Sequence, residues 1–103
     1  MIKLWIEALR SGEYRQARGT LRTQDGRFCC LGVACEISGI DKWEFNGNSY
    51  SYDHNYSGMS ARVCDHIGFP LSGQGRLIQM NDNQGATFQE IADYLEKTCI
   101  EKT

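Results

Sequence analysis

The sequence lacks the features that mark membrane, secreted and multidomain proteins. No run of apolar residues approaches the ~20 that a membrane-spanning helix needs. The chain begins without a signal-peptide pattern, so export is not expected. It has one proline in 103 residues and no low-complexity tract that would serve as a linker. We therefore expect residues 1–103 to form a single compact domain with one hydrophobic core.

The common catalytic and metal-binding motifs are also missing. There is no Walker-type phosphate loop, no H-E-x-x-H and no G-x-S-x-G. The five cysteines include no C-x2-C pair, and the adjacent Cys29 and Cys30 are poorly spaced to ligate one tetrahedral ion together. The acidic residues follow no catalytic spacing. We therefore predict a protein that is not an enzyme, that holds no metal ion or cofactor and whose cysteines are free thiols.

The net charge of −2 conceals an uneven distribution of charge. Residues 1–28 contain six lysines and arginines and three acids, a balance of +3, whereas residues 29–103 contain five and ten, a balance of −5. A protein that binds long DNA or RNA usually needs a wider basic surface, so that class is not favoured. A local arginine cluster is enough for a small ligand with one or two phosphates. The alternative is a solvated charged surface.

The N-terminal third carries two helical signals. Residues 2–9 have one apolar face, and Gly12 is suited to the left-handed position that follows a helix. Residues 29–37 are apolar on nearly every side, which predicts a buried second helix. Gly32 would weaken that helix, so we expect it to allow close approach of another backbone or a ligand.

Two further helices are predicted in the C-terminal half. Residues 59–67 place apolar side chains on one face, and Gly68 and Pro70 end that segment. Thr87 and Glu90 form a capping box, the clearest helix start in the chain.

The remaining segments predict hairpins and loops. Residues 19–28 and 43–52 each have an Asx-Gly turn flanked by β-like residues, so both are predicted to be hairpins. Residues 71–76 are rich in glycine and are expected to form a mobile loop, and residues 77–80 to form a short strand or a buried turn. The predicted fold is α+β, a single domain of about four helices packed on a small antiparallel sheet or hairpins.

One candidate site lies in the basic N-terminal segment and comprises Arg10, Tyr14, Gln16, Arg18 and Arg22. Arginine forks can hold a phosphate through two parallel hydrogen bonds, and a tyrosine ring can stack on a base. A glutamine amide can contact a base edge through its paired donor and acceptor.

Two other groups of residues could carry function. Asn81-Asp82-Asn83 precedes the capped helix, whose N-terminus favours anions, although simple turn chemistry is the preferred interpretation. The second hairpin and the loop after it are rich in aromatic residues, which indicates either ordinary β propensity or a surface for stacking or protein binding. Its five rings belong to Trp43, Phe45, Tyr50, Tyr52 and Tyr56.

Several of these segments together resemble a family of small proteins encoded by bacteriophages. The resemblance covers nearly the whole chain, except residues 46–58 and 70–76. It is carried by Trp5-x3-Leu9-Arg10-Ser11-Gly12-x-Tyr14-x-Gln16, Gly19-x-Leu21-Arg22, Phe28-Cys29-Cys30-Leu31-Gly32-Val33-x-Cys35-Glu36, Leu77-x2-Met80-Asn81-Asp82 and Thr87-Phe88-x-Glu90-Ile91-Ala92-Asp93-Tyr94-Leu95-Glu96.

The resemblance implies a phage protein that sequesters the cyclic nucleotide signals of bacterial defence, an anti-CBASS sponge. Such a protein would act in the host bacterial cytoplasm and would bind a ligand such as cyclic GMP-AMP without cleaving it. Arg10, Arg18 and Arg22 would then contact phosphates, Tyr14 would stack, and Gln16 or Asn81 would contact a base. The resemblance also implies a homo-oligomer, and a dimer would suit a two-fold symmetric ligand. The alternatives are an inhibitor that binds a host enzyme through the aromatic hairpin, residues 43–56, and an enzyme that cleaves nucleotides.

Overall fold

The N-terminal helix buries its apolar stripe against the rest of the protein, in a computed structural model that describes residues 1–100. This helix, α1, spans Ile2–Arg10. Trp5, Ile6 and Leu9 lie on its buried face, as their spacing predicts. The helix ends where the backbone amide of Ser11 donates to the carbonyl of Ala8, and Gly12 then takes a positive φ of 78°.

The central helix, α2, spans Cys30–Ser38, and its first six residues are all buried. The side chain of Cys29 accepts from the backbone amide of Gly32, and Gly39 ends the helix with a left-handed conformation. The indole nitrogen of Trp5 donates to the carbonyl of Cys30 at 3.0 Å, which joins α1 to the start of α2. The predicted buried helix and its C-terminal glycine are confirmed.

Gly32 permits a close contact between α2 and the preceding segment. A Cβ atom at this position would lie 2.0 Å from the carbonyl oxygen of Leu21. That oxygen accepts from the backbone amide of Cys29 at 3.2 Å. The expected close approach of another backbone is therefore confirmed, and only glycine fits without movement of the chain.

The second predicted hairpin is confirmed, whereas the first forms only a reversal of the chain. Strands β1 (Trp43–Phe45) and β2 (Tyr50–Tyr52) pair antiparallel. Within residues 19–28 the predicted turn is present, because the backbone amide of Gly26 donates to the carbonyl of Thr23. The residues on either side of the turn form isolated bridges and no strands. Phe28 forms one isolated bridge with Gln16 and another with Arg22. It therefore pairs with two different segments, and neither pairing continues into a β-ladder.

The prediction of a mobile loop over residues 71–76 was wrong. A 3₁₀ turn (Leu71–Gly73) leads into helix α4 (Gln74–Ile78), which follows α3 (Ala61–Ile67). The side-chain amide of Gln74 bonds to the backbone of Met59. Its Oε1 accepts from the Met59 N–H at 2.6 Å, and its Nε2 donates to the Met59 carbonyl at 3.1 Å. This tertiary anchor outweighs the poor helix propensity of the two glycines.

Residues 77–80 are likewise helical, not a strand or a simple buried turn. They belong to α4 and to the π-helical turn Gln79–Asn83 that continues it. Leu77 is fully buried, so the segment is fixed by packing against the core.

The last helix, α5, spans Phe88–Leu95 and has the predicted capping box. Phe88, Ile91, Ala92 and Leu95 form its buried stripe, and a π-helical turn, Glu96–Ile100, follows. Helix α5 packs mainly on α1, while α2 contacts α1, α3 and α4. The structure is thus α+β, as predicted. Over residues 1–100, no helix is long and apolar enough to cross a membrane.

Candidate functional site

Arg10 is committed to an ion-pair network at the C-terminal end of α1. Its guanidinium contacts the carboxylates of Asp93 at 2.6 Å and Glu96 at 2.9 Å. These two carboxylates come from α5 and from the turn after it, so the network fastens the two helices that pack together. Arg10 therefore faces α5, and its guanidinium is paired with carboxylates of the chain itself.

Gln16 and Asn81 are brought together, but inside the protein. Asn81 is buried, and its Oδ1 accepts from Gln16 Nε2 at 2.8 Å and from the amide of Cys30 at 3.3 Å. Its Nδ2 donates to the carbonyl of Ala17 and to Asp82. The network joins the N-terminal segment, α2 and the turn after α4. It occupies Gln16 Nε2 and both polar side-chain atoms of Asn81, which the sequence assigned to a base edge.

Asp82 extends the same network. Its Oδ1 accepts from the backbone amide of Gly19 at 2.9 Å and from Asn81 at 2.7 Å. A small cavity of about 80 Å³ lies beside these residues, with Cys29 and Cys30 in its lining. Burial raises the pKa of Cys29 to about 11 and that of Cys30 well above its usual value, so both thiols are neutral at pH 7.

Arg22 lies in a cluster of aromatic rings. The carbon of its guanidinium is 4.4 Å from the ring centroid of Tyr50, 5.4 Å from that of Trp43 and 5.8 Å from that of Phe28. These distances are in the range of cation–π attraction. Its Nε is the one buried side-chain nitrogen or oxygen without a hydrogen-bond partner in residues 1–100. No carboxylate in that part of the chain pairs with this charge.

The rings around Arg22 form a continuous row. Phe28 contacts Trp43 at 5.9 Å between centroids, Trp43 contacts Tyr50 at 6.3 Å, and Tyr50 contacts Phe45 at 4.9 Å. Register explains part of this, because Trp43 lies opposite Tyr52 and Phe45 opposite Tyr50, which puts all four on one face. We name the set of Arg22, Phe28, Trp43, Phe45 and Tyr50 the aromatic–arginine surface.

Tyr14 adjoins this surface without being part of it. Its ring meets the ring of Phe28 edge to face, with centroids 5.7 Å apart. Burial raises the pKa of Tyr14, and the carboxylates of Glu36 and Glu13 raise it further. Two carboxylates therefore act on Tyr14, and their negative charge would repel a phosphate. Arg18 is exposed and makes no hydrogen bond or ion pair with residues 1–100.

The six predicted site residues therefore do not share one set of contacts. Gln16 and Asn81 form an internal network, Arg10 fastens two helices, and Arg22 joins the aromatic hairpin that the sequence had treated separately. Phe28, the ring that links the two segments, was not among the predicted site residues. Its signal was the predicted turn at residues 24–26, which brings Phe28 opposite Arg22, as the antiparallel bridge between them shows.

No group of three or more histidine, cysteine, aspartate or glutamate side chains suited to a metal ion occurs within residues 1–100. Comparison with known families gives one result: residues 1–70 match DUF8296, which is described as a domain of unknown function. No curated protein and no solved structure matches the chain.

Proposed function

The chain belongs to the DUF8296 family, and we propose that it sequesters a cyclic nucleotide immune signal, such as cyclic GMP-AMP, without cleaving it. The proposed setting is the cytoplasm of a bacterium infected by the phage that encodes it. The observation that carries the proposal is Arg22, a cation held on aromatic rings with no carboxylate to neutralise it in residues 1–100. The resemblance to phage proteins, described above, supports the same function.

The aromatic–arginine surface offers the two contacts that a nucleotide requires. A phosphate can accept from the guanidinium of Arg22, whose partial burial strengthens a charge-assisted hydrogen bond. A base can stack on Phe45, which is 43% exposed and lies beside Tyr50. Stacking of one base on an aromatic side chain contributes about 1–3 kcal/mol. The surface therefore supplies charge and stacking, which are binding contacts.

Calorimetry with a panel of cyclic nucleotides tests this proposal. We expect Arg22→Gln and Phe45→Ala each to weaken binding by about tenfold or more, because each removes one of the two contacts. Arg76→Gln is the matched control, since Arg76 also lies over a ring, that of Tyr94, at 6.0 Å. The control should bind like the unmodified protein. The absence of heat with every cyclic nucleotide would reject the ligand class.

Recovery of the ligand separates sequestration from cleavage. We expect intact nucleotide to be released when the complex is denatured, and chromatography of the released material checks this. Appearance of a linear or hydrolysed product would assign the protein to the nucleotide-cleaving class instead. Light scattering with and without ligand tests the proposed dimer.

A second candidate function is inhibition of a host enzyme through the aromatic hairpin. Phe45 and Tyr56 are 43% and 48% exposed, and they line one open groove of about 280 Å³. Exposed aromatic rings beside one open groove are typical of protein-binding surfaces. In this case Trp43→Ala and Tyr50→Ala should abolish inhibition, while no nucleotide binds.

A further inference from the structure

Helix α1 carries one well-exposed apolar side chain, Leu4 (55% exposed), outside its buried stripe. Ala8 lies one turn further along and packs partly against the core, and the polar Ser11 caps the helix on the same side. Together with Tyr14 and Ile37 they line an open groove of about 360 Å³. The complete lining, which we name the α1 groove, is Leu4, Glu7, Ala8, Ser11, Glu13, Tyr14 and Ile37. It is thus a largely apolar groove that also contains two glutamates.

The charges of the α1 groove are of one sign. Glu7 and Glu13 line it, and the pKa of Tyr14 is raised first by burial and then by the carboxylates of Glu36 and Glu13. The nearby cations are directed elsewhere. Arg10 pairs with Asp93 and Glu96.

Two more cations beside α1 also lie away from the groove. Lys3 lines a neighbouring depression on the α5 side of α1, together with Arg10 and with Glu7, which borders both depressions. Arg15 donates to the backbone carbonyl of Asp25 at 2.7 Å. The negative charge of the α1 groove therefore has no cation among the residues that line it.

We propose that the α1 groove docks a basic amphipathic segment of a partner protein. Apolar side chains of that segment would cover Leu4 and Ile37, and its lysines or arginines would pair with Glu7 and Glu13. Charge complementarity argues for this occupant, because a cationic segment meets an acidic rim around an apolar floor. A two-fold contact between copies of this chain would instead place each acidic rim against itself, which costs energy. The α1 groove shares no residue with the aromatic–arginine surface, although Tyr14 of the groove contacts Phe28 of that surface.

A labelled synthetic peptide tests the proposal. The probe is a ~14-residue helix with leucine at every third or fourth position and lysine elsewhere, and its counterpart carries glutamate in place of lysine. We expect saturable binding of the lysine peptide by fluorescence polarisation, weaker at high salt, and none of the glutamate peptide. Amide chemical-shift changes should centre on Leu4, Ala8 and Ile37.

Variants with a matched control define the surface. Leu4→Ser should weaken peptide binding about tenfold, and Glu7→Lys with Glu13→Lys should do so by a similar factor and remove the salt dependence. Glu44→Lys reverses an exposed charge on the hairpin and should leave binding unchanged. Leu4 and both glutamates are at least partly exposed, so folding should be preserved, which circular dichroism checks.

Three results would overturn the proposal. The first is no saturable binding of the lysine peptide up to about 1 mM. The second is binding that Leu4→Ser leaves unchanged or that maps to other residues. The third is a dimer of this chain that Leu4→Ser dissociates, which would assign the α1 groove to a second copy. None of these results bears on nucleotide binding at Arg22.

Discussion

Replacement of Gly32 by alanine should destabilise the fold strongly. The new Cβ would lie 2.0 Å from the carbonyl oxygen of Leu21, whereas real Cβ contacts are essentially never under 3.0 Å. The Leu21 backbone would have to move by about 1 Å, and overpacking of this kind costs roughly 1–3 kcal/mol. The same oxygen accepts from Cys29, and leaving that buried amide unpaired costs about 1–3 kcal/mol more. Alanine recovers about 1 kcal/mol of helix propensity.

The expected net loss is about 3 kcal/mol of the free energy of unfolding, or a fall in Tm of roughly 15 °C for a domain of this size. Urea denaturation followed by circular dichroism measures it. Gly75→Ala is the control, because Gly75 is helical and nothing lies within 4 Å of a Cβ there. It should gain about 0.5–1 kcal/mol. If Gly32→Ala proved no more harmful than Gly75→Ala, the backbone contact would not be the constraint described above.

Three other predictions concern stability. Thr87→Ala removes half of the capping box and should cost about 1 kcal/mol in urea denaturation, and Thr87→Ser should recover most of it. Asn81→Asp places a carboxylate oxygen against the carbonyl of Ala17 and the carboxylate of Asp82, so it should cost at least about 2 kcal/mol at pH 7 and less in acid. A full loss at both pH values would mean that geometry, not charge, is at fault. Finally, the free energy of unfolding should fall as pH rises from 9.0, the ordinary thiol pKa, to about 11, the pKa of Cys29 in the folded protein. In this range the unfolded chain releases thiol protons that the buried thiols retain, so the unfolded state is favoured. A flat profile of urea midpoints from pH 7 to about pH 10 would contradict this sign.

The helices of the N-terminal third could be predicted because their signals are local. The apolar spacing of residues 2–9 and the glycine after each helix depend on neighbours in sequence, and the structure confirms both. The helix over residues 74–78 could not be predicted in this way. It is held by hydrogen bonds between the side chain of Gln74 and the backbone of Met59. These residues are far apart in sequence, so the contact leaves no periodic pattern that could predict it.

The candidate site shows the same division between local and distant contacts. The sequence singled out Arg22 for its charge, and the aromatic hairpin for its rings, as separate features. Their union depends on Phe28, which the reversal at residues 24–26 brings opposite Arg22. Arg10 was chosen for its charge as well, yet its partners are Asp93 and Glu96, more than eighty positions away. Such pairings are set by how α1 packs on α5.

The two tryptophans of the chain lie in opposite kinds of surroundings, and this makes them separate optical reporters. Trp5 is fully enclosed and bonded to the carbonyl of Cys30, so its emission should stay blue until the domain unfolds. Trp43 is half-buried beside Arg22, so quenching or a spectral shift of its emission should follow occupancy of the hairpin. A Trp43→Phe variant would report folding alone, and the difference from the unmodified protein would report binding in the same cuvette.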